Sequence, residues 1–388
     1  MSIQKIDGSY VANTYARFPV VIKRGEGSLV WDESGKEYID LSGGIAVNTF
    51  GMADPQWVEA VTAQLAQVQH TSNLYFTEPC AKLAELLCTR TGMKKVFFSN
   101  SGAEANECAV KVARRYAAST KGADHYTIVT LKNSFHGRTL TTLAATGQDV
   151  FHKDFTPLTE GFVYAEANNL EDVKRLTEEN KCAAVLMEVV QGEGGVNALD
   201  RDFVLGVAAL CREKDLLLMC DEVQIGNGRS GMLYGYMNYG IMPDVVSTAK
   251  GLGGGLPIGA TLMSEKVQDV LTPGSHGSTF GGNPVCCAGA LNVLSRLDEK
   301  MLAGVRERSE YIFRTLSAAP GVESVSGMGL MIGVKTLRDA SAVINDCMDM
   351  GLLVIKAKDK VRLLPALNIP METLEKALGL LCAACAKE

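Results

Sequence analysis

Two hydrophobic runs constrain this chain more than any other feature, because each ends abruptly in a functional group. Residues 216–220 (LLLMC) lead directly into Asp221, and residues 244–249 (DVVSTA) lead into Lys250 and a glycine-rich stretch. Short apolar runs that stop at charged residues are typical of buried strands. Since polar groups at the carboxyl ends of parallel strands share one edge of an α/β sheet, we expect Asp221 and Lys250 to lie close together.

A lysine beside a buried aspartate suits a cofactor that carries an aldehyde and a basic ring nitrogen. The amine of Lys250 can form a Schiff base with pyridoxal phosphate, and the carboxylate of Asp221 can keep the pyridine nitrogen protonated. The spacing alone also permits a simpler interpretation, in which Lys250 is a solvated loop residue and Asp221 caps a helix.

Strand and helix signals alternate through the middle of the chain. Helical stretches, such as residues 104–118 and 203–214, separate most of the apolar runs. The runs lie at residues 95–99, 126–131, 183–190, 216–220, 245–248 and 259–263. This alternation predicts an α/β fold with a mostly parallel sheet and helices on both faces.

The two ends of the chain predict a second, smaller unit. Residues 1–45 resemble an extended arm and a hairpin that turns at Ser34-Gly35. Residues 46–285 form the large domain in this interpretation, and residues 286–388 form a small α+β domain that the N-terminal arm completes.

Composition excludes several classes of protein. The 388 residues are 47% hydrophobic and 21% charged with a net charge of −6, which is ordinary for a folded enzyme and unlike a nucleic-acid-binding surface. No apolar segment is long enough to cross a bilayer. The eleven cysteines lie mostly inside apolar runs, and the five histidines lack metal-ligand spacing. We therefore expect a cytoplasmic protein without metal, membrane or nucleic-acid partners.

Several loops carry polar residues that a core does not need. The segment 101–107 follows a strand and opens a helix, so its amides can bind an anion, although a plain helix cap explains it equally well. Phe135 can stack on a flat ring, and Arg138 can hold a carboxylate. The glycines of residues 191–195 indicate close approach of the backbone to a ligand.

One further motif favours a different cofactor. Residues 226–231 (GNGRSG) match the dinucleotide-binding fingerprint by letter, but the sequence that follows is a poor start for the helix that the fingerprint requires. A nicotinamide-dependent dehydrogenase is therefore a weaker alternative.

Taken together, the loops resemble the class III, or ω-amino-acid, branch of the fold type I pyridoxal-phosphate aminotransferases. The resemblance spans nearly the whole chain, and its motifs occur in the family's order. They are NTYARFP (13–19), SGAEANE (101–107), SFHGR (134–138), QGEGG (191–195), DEVQ (221–224), AKGLGGG (249–255) and GSTFGGNP (277–284).

The resemblance implies a complete set of cofactor contacts. Lys250 would bond to the cofactor and shuttle the proton, and Asp221 would hold the pyridine nitrogen. The other residues of the implied cofactor set are Ser101, Gly102 and Ala103 near the phosphate, Phe135 and Val223 on the two ring faces, Gln224 at the phenolic oxygen, and Glu222 and Thr279.

The substrate side is implied in the same way. Arg138 would bind the α-carboxylate with Ser278 nearby, and Glu193 would act as a gate that pairs with Arg362 and releases it for the second substrate. In this family Thr279 reaches the cofactor phosphate of the other subunit, so the resemblance implies a homodimer with shared active sites.

The implied reaction converts N2-acetylornithine and 2-oxoglutarate to N-acetylglutamate 5-semialdehyde and glutamate by a ping-pong route in arginine biosynthesis. Ile45 stands where the ornithine-specific branch carries a tyrosine, which favours an acylated or absent α-amine. Succinylornithine, ornithine and 4-aminobutyrate stay as alternative amino donors. Decarboxylases and aminomutases of the same fold, or a non-catalytic cofactor-binding regulator, stay as alternative classes.

Overall fold

The structure is a computed structural model that describes residues 2–387. Eight of its twelve helices begin with a capping side chain that accepts a backbone amide of the first turn, and at Asp54-Pro55 and Asn283-Pro284 a proline follows the cap. The helices are α1 (Ile3–Tyr10), α2 (Gly43–Ala46), α3 (Pro55–Leu65), α4 (Glu78–Thr91), α5 (Gly102–Thr120), α6 (Leu140–Ala145), α7 (Leu170–Glu179), α8 (Arg201–Glu213), α9 (Pro284–Ser295), α10 (Glu299–Ser317), α11 (Ala340–Asp349) and α12 (Met371–Cys385).

Seventeen strands lie between residues 2 and 387, and those at the six predicted apolar runs agree with the runs to within a few residues. They are β1 (Ile22–Glu26), β2 (Leu29–Asp32), β3 (Glu37–Asp40), β4 (Lys95–Ser99), β5 (Thr127–Leu131), β6 (Phe162–Ala165), β7 (Cys182–Met187), β8 (Val190–Gln191), β9 (Asn197–Ala198), β10 (Leu217–Asp221), β11 (Val245–Thr248), β12 (Gly259–Met263), β13 (Val322–Met328), β14 (Met331–Thr336), β15 (Leu352–Leu353), β16 (Ile355–Ala357) and β17 (Lys360–Leu363).

The central sheet has seven strands in the order β4-β12-β11-β10-β7-β5-β6. The strand β12 is antiparallel to both its neighbours, and the other adjacent pairs are parallel. The prediction of a mostly parallel sheet is therefore confirmed. The carboxyl ends of β4, β5, β7, β10 and β11 all reach the same edge, where ligands bind in sheets of this type.

Helices cover both faces of this sheet, as the alternation along β10 demonstrates. Leu217 and Met219 pack in a cluster with the buried face of α5. Leu218 and Cys220 pack in a second cluster with α8. Because successive strand residues point to opposite faces, the side chain at position 221 emerges on the α5 side and the one at position 222 on the α8 side.

The smaller sheets bring the two ends of the chain together. The hairpin β2-β3, which turns at Ser34-Gly35 as expected, pairs in parallel with β15, and β13-β14-β17-β16 form a separate sheet. The pairing of β3 with β15 supports the proposed small unit, while α9 packs against α3 and α4 of the large one. The domain boundaries after residues 45 and 285 stay a prediction.

Two elements were not anticipated. The N-terminal arm contains the helix α1, and β6 adds an edge strand to the central sheet. Among the helices described between residues 2 and 387, none combines the length and the apolar character needed to span a membrane.

Candidate active site

A cavity of about 630 Å³ opens at the carboxyl edge of the central sheet. Tyr15 of the N-terminal arm and Val47 contribute to its wall. The predicted site residues that line it are Ser101, Gly102, Ala103, Phe135, Arg138, Asp221, Val223, Gln224 and Lys250. The structure therefore brings together most of the residues that the sequence motifs singled out, although they lie up to 150 positions apart.

Asp221 forms the floor of the cavity and accepts several hydrogen bonds. Its Oδ1 accepts the amide of Val223 at 3.0 Å, and its Oδ2 accepts Nδ2 of Asn106 at 2.7 Å. Nδ1 of His136 lies 2.8 Å from the same Oδ2. Donor groups therefore reach both oxygens of this buried carboxyl group.

The partners of Asp221 are functional residues that sequence reasoning did not single out. Nδ2 of Asn106 also reaches the carbonyl of His136 at 2.8 Å, and Oγ of Ser247 donates to Oδ1 of Asn106 at 2.5 Å. Oδ2 of Asp221 is the acceptor in its contact with Asn106, and Nδ1 of His136 shares the same oxygen. Both Asn106 and His136 occur inside motifs that were noted, but nothing in their spacing indicates that they meet Asp221.

Glu222 departs from its predicted role. Its side chain leaves the cavity and is fully buried on the α8 side, where Oε2 accepts the amide of Gly235 at 2.6 Å and Oε1 accepts that of Tyr236 at 2.7 Å. Strand alternation explains the difference from its neighbour Asp221. Burial raises the pKa of Glu222 to about 8.

Lys250 occupies a strained position beside this floor. It follows β11 and starts a short 3₁₀ turn with a backbone φ of 46°, which is uncommon for a residue with a side chain. The side chain is half-buried at the cavity wall, and burial lowers the pKa of its amine. A lower pKa increases the fraction of neutral amine, the form that attacks an aldehyde or accepts a proton.

The start of α5 forms the anion-binding end of the cavity. Oγ of Ser101 caps the helix by accepting the backbone amide of Glu104. The same hydroxyl donates to Oε2 of Glu104 at 3.0 Å. The first helical amides, at Gly102 and Ala103, have no acceptor within the helix. A Cβ at position 102 would lie 2.7 Å from Cγ1 of Val223, so only glycine permits this close approach.

The rim of the cavity carries an exposed cation held between two rings. The guanidinium of Arg138 lies 5.4 Å from the ring centre of Phe135 and 4.2 Å from that of Phe151. Such contacts orient a guanidinium while they leave its N–H groups free for a carboxylate.

The two residues predicted to form a gate, Glu193 and Arg362, form an ion pair behind the cavity wall. Nη1 of Arg362 donates to Oε1 of Glu193 at 2.6 Å and to Oε1 of Gln224 at 3.0 Å. Arg362 is only 3% exposed. Burial alone would raise the pKa of Glu193, but the guanidinium of Arg362 holds it below its usual value.

Residues 191–195 form a loop that we name the gate loop. Its glycines lie against other atoms of the protein rather than against an open ligand site. A Cβ at Gly192 would lie 2.6 Å from Oε1 of Gln224, and one at Gly194 would lie 2.5 Å from the carbonyl oxygen of Asn133. The glycines thus let this loop pack against the residues that flank the cavity.

Five predicted residues do not line the cavity of this chain, namely Glu222, Glu193 and Arg362, described above, and Ser278 and Thr279. Oγ of Ser278 accepts from Nδ2 of Asn100 at 3.2 Å, next to the cavity but not on its surface. Thr279 is exposed. Within residues 2–387 of one chain, Thr279 therefore contributes nothing to the cavity wall.

The donor set fits pyridoxal phosphate. The cavity combines free helix amides for a phosphate, a hydrogen-bonded carboxylate for a pyridine nitrogen, an aromatic face and a half-buried amine. A dinucleotide fits less well, because residues 226–231 are buried in a turn followed by the 3₁₀ segment Gly235–Tyr239 rather than by an α-helix.

Comparisons with known proteins agree with this chemistry. The family model described as "Aminotransferase class-III" matches residues 10–385. The chain is 48% identical to the acetylornithine aminotransferase of Haemophilus ducreyi over 98% of this chain and 97% of the relative. It is 44% identical to a succinylornithine transaminase of Salmonella paratyphi A, with 97% and 94% covered. The ornithine aminotransferase of Toxoplasma gondii, described with pyridoxal phosphate at its active site, superposes with a TM-score of 0.94 at 30% identity, with 99% and 93% covered.

Proposed function

Since the chain belongs to the class-III aminotransferase family and uses pyridoxal phosphate, we propose that it transfers the side-chain amino group of N2-acetylornithine to 2-oxoglutarate. The products are N-acetylglutamate 5-semialdehyde and glutamate, a step of arginine biosynthesis. The observation that carries the proposal is that Gln224, which lines the same cavity as Lys250 and Asp221, hydrogen-bonds both members of the Glu193–Arg362 pair. The name and 48% identity of the Haemophilus ducreyi relative support the substrate.

The floor residues perform the transfer. When bound, pyridoxal phosphate supplies an aldehyde that takes up the amino group and a ring that withdraws electrons from the amine-bearing carbon. The amides of Gly102 and Ala103 would bind its phosphate, and Phe135 and Val223 would flank its ring. Asp221 would hold the ring nitrogen, Gln224 would reach the ring hydroxyl, and Nζ of Lys250 would attach the cofactor and move the proton at the amine-bearing carbon.

The residues at the rim and behind the wall of the cavity accommodate the two substrates in turn. Arg138 would bind the α-carboxylate of acetylornithine, with Ser278 nearby, and the carboxylate of 2-oxoglutarate that lies farther from its keto carbon. Glu193 would neutralise Arg362 while acetylornithine, which has no carboxylate next to the carbon that bears the reacting amine, occupies the cavity. When 2-oxoglutarate enters, Arg362 leaves Glu193 and binds the second carboxylate. A movable ion pair thus serves two different substrates without a rebuilt cavity.

We further propose a homodimer with shared active sites. Thr279 is exposed and lies on the same surface as the exposed Phe280, and the segment 74–76 presents three exposed apolar side chains. A second copy that covers this surface would let Thr279 reach the phosphate in the partner's cavity. Sedimentation should give twice the chain mass, and Thr279→Ala should release the cofactor faster on dialysis. A stable, fully active monomer would contradict this proposal.

Absorption spectra of the loaded enzyme test the substrate. Acetylornithine and glutamate, added separately, should each shift the visible band of the bound cofactor within seconds, whereas ornithine and 4-aminobutyrate should act slowly. A response mainly to 4-aminobutyrate would reassign the amino donor. The absence of any response to glutamate would remove 2-oxoglutarate as the acceptor.

Succinylornithine is the second candidate donor, because a relative with that name is 44% identical over nearly the whole chain. Ile45, which bears on donor choice, is 42% exposed beside the cavity residue Val47 and does not itself line the cavity. Competition between acetylornithine and succinylornithine in one reaction would rank the two donors directly.

We also propose that the reaction takes place in the cytoplasm. All eleven cysteines of the chain are free, which suits a reducing compartment. Fractionation of cells that express the native gene would test this location.

A further inference from the structure

Glu188 is a buried carboxylic acid at the cavity to which the proposed reaction gives no task. It directly follows β7, is 5% exposed and contributes to the cavity wall. Its side chain points to the same face of the sheet as Asp221, since Ala184 and Leu186 pack on that face. Burying a carboxyl group beside another carboxylate costs folding free energy unless neighbouring groups hydrogen-bond to it.

The two oxygens of Glu188 join two functional loops. Oε1 accepts the amide of Phe135 at 2.8 Å, and Phe135 belongs to the loop that also carries Arg138. Oε2 accepts the amide of Gly192 at 3.4 Å, and Gly192 immediately precedes Glu193 in the gate loop. One side chain therefore holds the stacking loop and the gate loop at a fixed separation.

Three ionisable groups face Glu188 from different elements. His136 comes from the loop after β5, Asp221 from the end of β10, and Lys250 from the turn after β11. Burial raises the pKa of Glu188 to about 7, with Asp221 adding to the increase and His136 opposing it. We therefore expect the carboxyl group to change its protonation near neutral pH.

We propose that Glu188 is a positioning residue whose ionised carboxylate ties the gate loop to the Phe135 loop and so biases the Glu193–Arg362 pair toward its closed state. This inference rests on the proposed function for the role of the gate, but the contact of Glu188 with the two loops, which we name the tie, forms without any substrate. A proton on Glu188 occupies Oε2, the oxygen with the longer contact, and turns that acceptor into a donor. The amide of Gly192 then loses its partner, and the gate loop becomes more mobile.

The tie predicts a specific kinetic asymmetry. Arg362 must leave Glu193 for 2-oxoglutarate and glutamate but not for an amino donor with an uncharged acyl end. Loosening the gate loop should therefore lower the KM for glutamate relative to that for acetylornithine. The ratio of the two KM values should fall roughly three- to tenfold as the pH drops from 8 to 6, as expected for the loss of one hydrogen bond.

Hydrogen exchange of residues 191–196 tests the tie without any substrate. In the wild-type apoprotein and holoprotein, protection corrected for intrinsic exchange should fall roughly three- to tenfold between pH 8 and pH 6. In Glu188→Gln the amide nitrogen faces the Gly192 N–H and cannot accept from it, so protection should be low and independent of pH. Glu222→Gln is the matched control, because Glu222 is equally buried and contacts no gate-loop amide.

Unchanged protection of the wild-type gate loop between pH 6 and 8 would overturn the proposal, and this measurement does not depend on any variant folding. Wild-type protection and pH dependence in Glu188→Gln would overturn it as well. Failure of the proposed function gives a different result: the exchange pattern persists while acetylornithine and glutamate fail as substrates.

Discussion

The floor and the gate of the cavity are built on different principles. Asp221 and Lys250 stand at the ends of adjacent strands, and the backbone register of β10 and β11 sets their positions. Glu193 and Arg362 come from a loop and from the separate sheet of β17, and their side chains alone join them. In the proposed mechanism, the sheet therefore fixes the residues of the common chemistry, whereas substrate choice depends on contacts that can break and reform.

The largest expected effect comes from removing the amine of the floor. Lys250→Ala should reduce steady-state turnover by about 10⁴-fold, because no other side chain can move the proton at the amine-bearing carbon. Turnover assays with acetylornithine and 2-oxoglutarate measure this loss. Lys266→Ala is a suitable control, since Lys266 pairs with Asp215 away from the cavity. Near-native turnover in Lys250→Ala would contradict the assignment of proton transfer to the cavity floor.

The neighbours Asp221 and Glu222 provide the next largest contrast. Asp221→Asn keeps the size of the side chain but removes its charge, so turnover should fall about 100-fold or more. Glu222→Gln should change turnover less than twofold, because its carboxyl group binds only Gly235 and Tyr236. Equal losses in the two variants would contradict the opposite facing of these side chains.

Glu222 should instead affect stability in a pH-dependent manner. Its folded-state pKa of about 8 exceeds the ordinary value of 4.5, so the stability it contributes is full below pH 4.5 and is lost as the pH rises to 8. The thermal midpoint of the wild type should therefore fall relative to that of Glu222→Gln between pH 5 and 8. Calorimetry of both apoproteins at three pH values measures this difference, and a constant difference would refute it.

These contrasts also explain what the sequence could predict. The positions of Lys250 and Asp221 could be predicted from the sequence, because each residue ends a hydrophobic run and a strand fixes the direction in which its side chains point. The interpretation of Glu222 failed because a motif groups adjacent residues that a strand sends to opposite faces. Asn106, His136 and Glu188 depend on contacts across 30 to 115 positions, which no local pattern encodes. The edge strand β6 was missed although its four residues are apolar or aromatic, because the run is short and mostly half-buried at the edge of the sheet.

The rim should respond more mildly than the floor. Arg138→Lys keeps the charge but loses the paired N–H groups and the guanidinium contacts with the rings of Phe135 and Phe151, so the KM for both substrates should rise. We expect roughly a tenfold increase, as for one charged hydrogen bond. Arg175→Lys, on the exposed face of α7, is the control. An increase for only one substrate would contradict a shared carboxylate site.

The smallest expected change separates the gate from the floor most clearly. Glu193→Gln leaves Arg362 without its anionic partner, so the KM for glutamate should fall while that for acetylornithine rises. The ratio should shift about three- to tenfold with little change in maximal rate. Glu171→Gln, whose exposed ion pair with Lys174 lies far from the cavity, is the control. A large loss of maximal rate with both substrates would place Glu193 with the floor instead.

The most direct test of the account is the site at which the cofactor attaches. The purified protein is loaded with pyridoxal phosphate, reduced with borohydride and digested, and the peptides are analysed by mass spectrometry. The account predicts one modified lysine, Lys250, at a stoichiometry near one per chain. A label on another lysine, or none after loading, would contradict the assignment of Lys250 to the cavity floor.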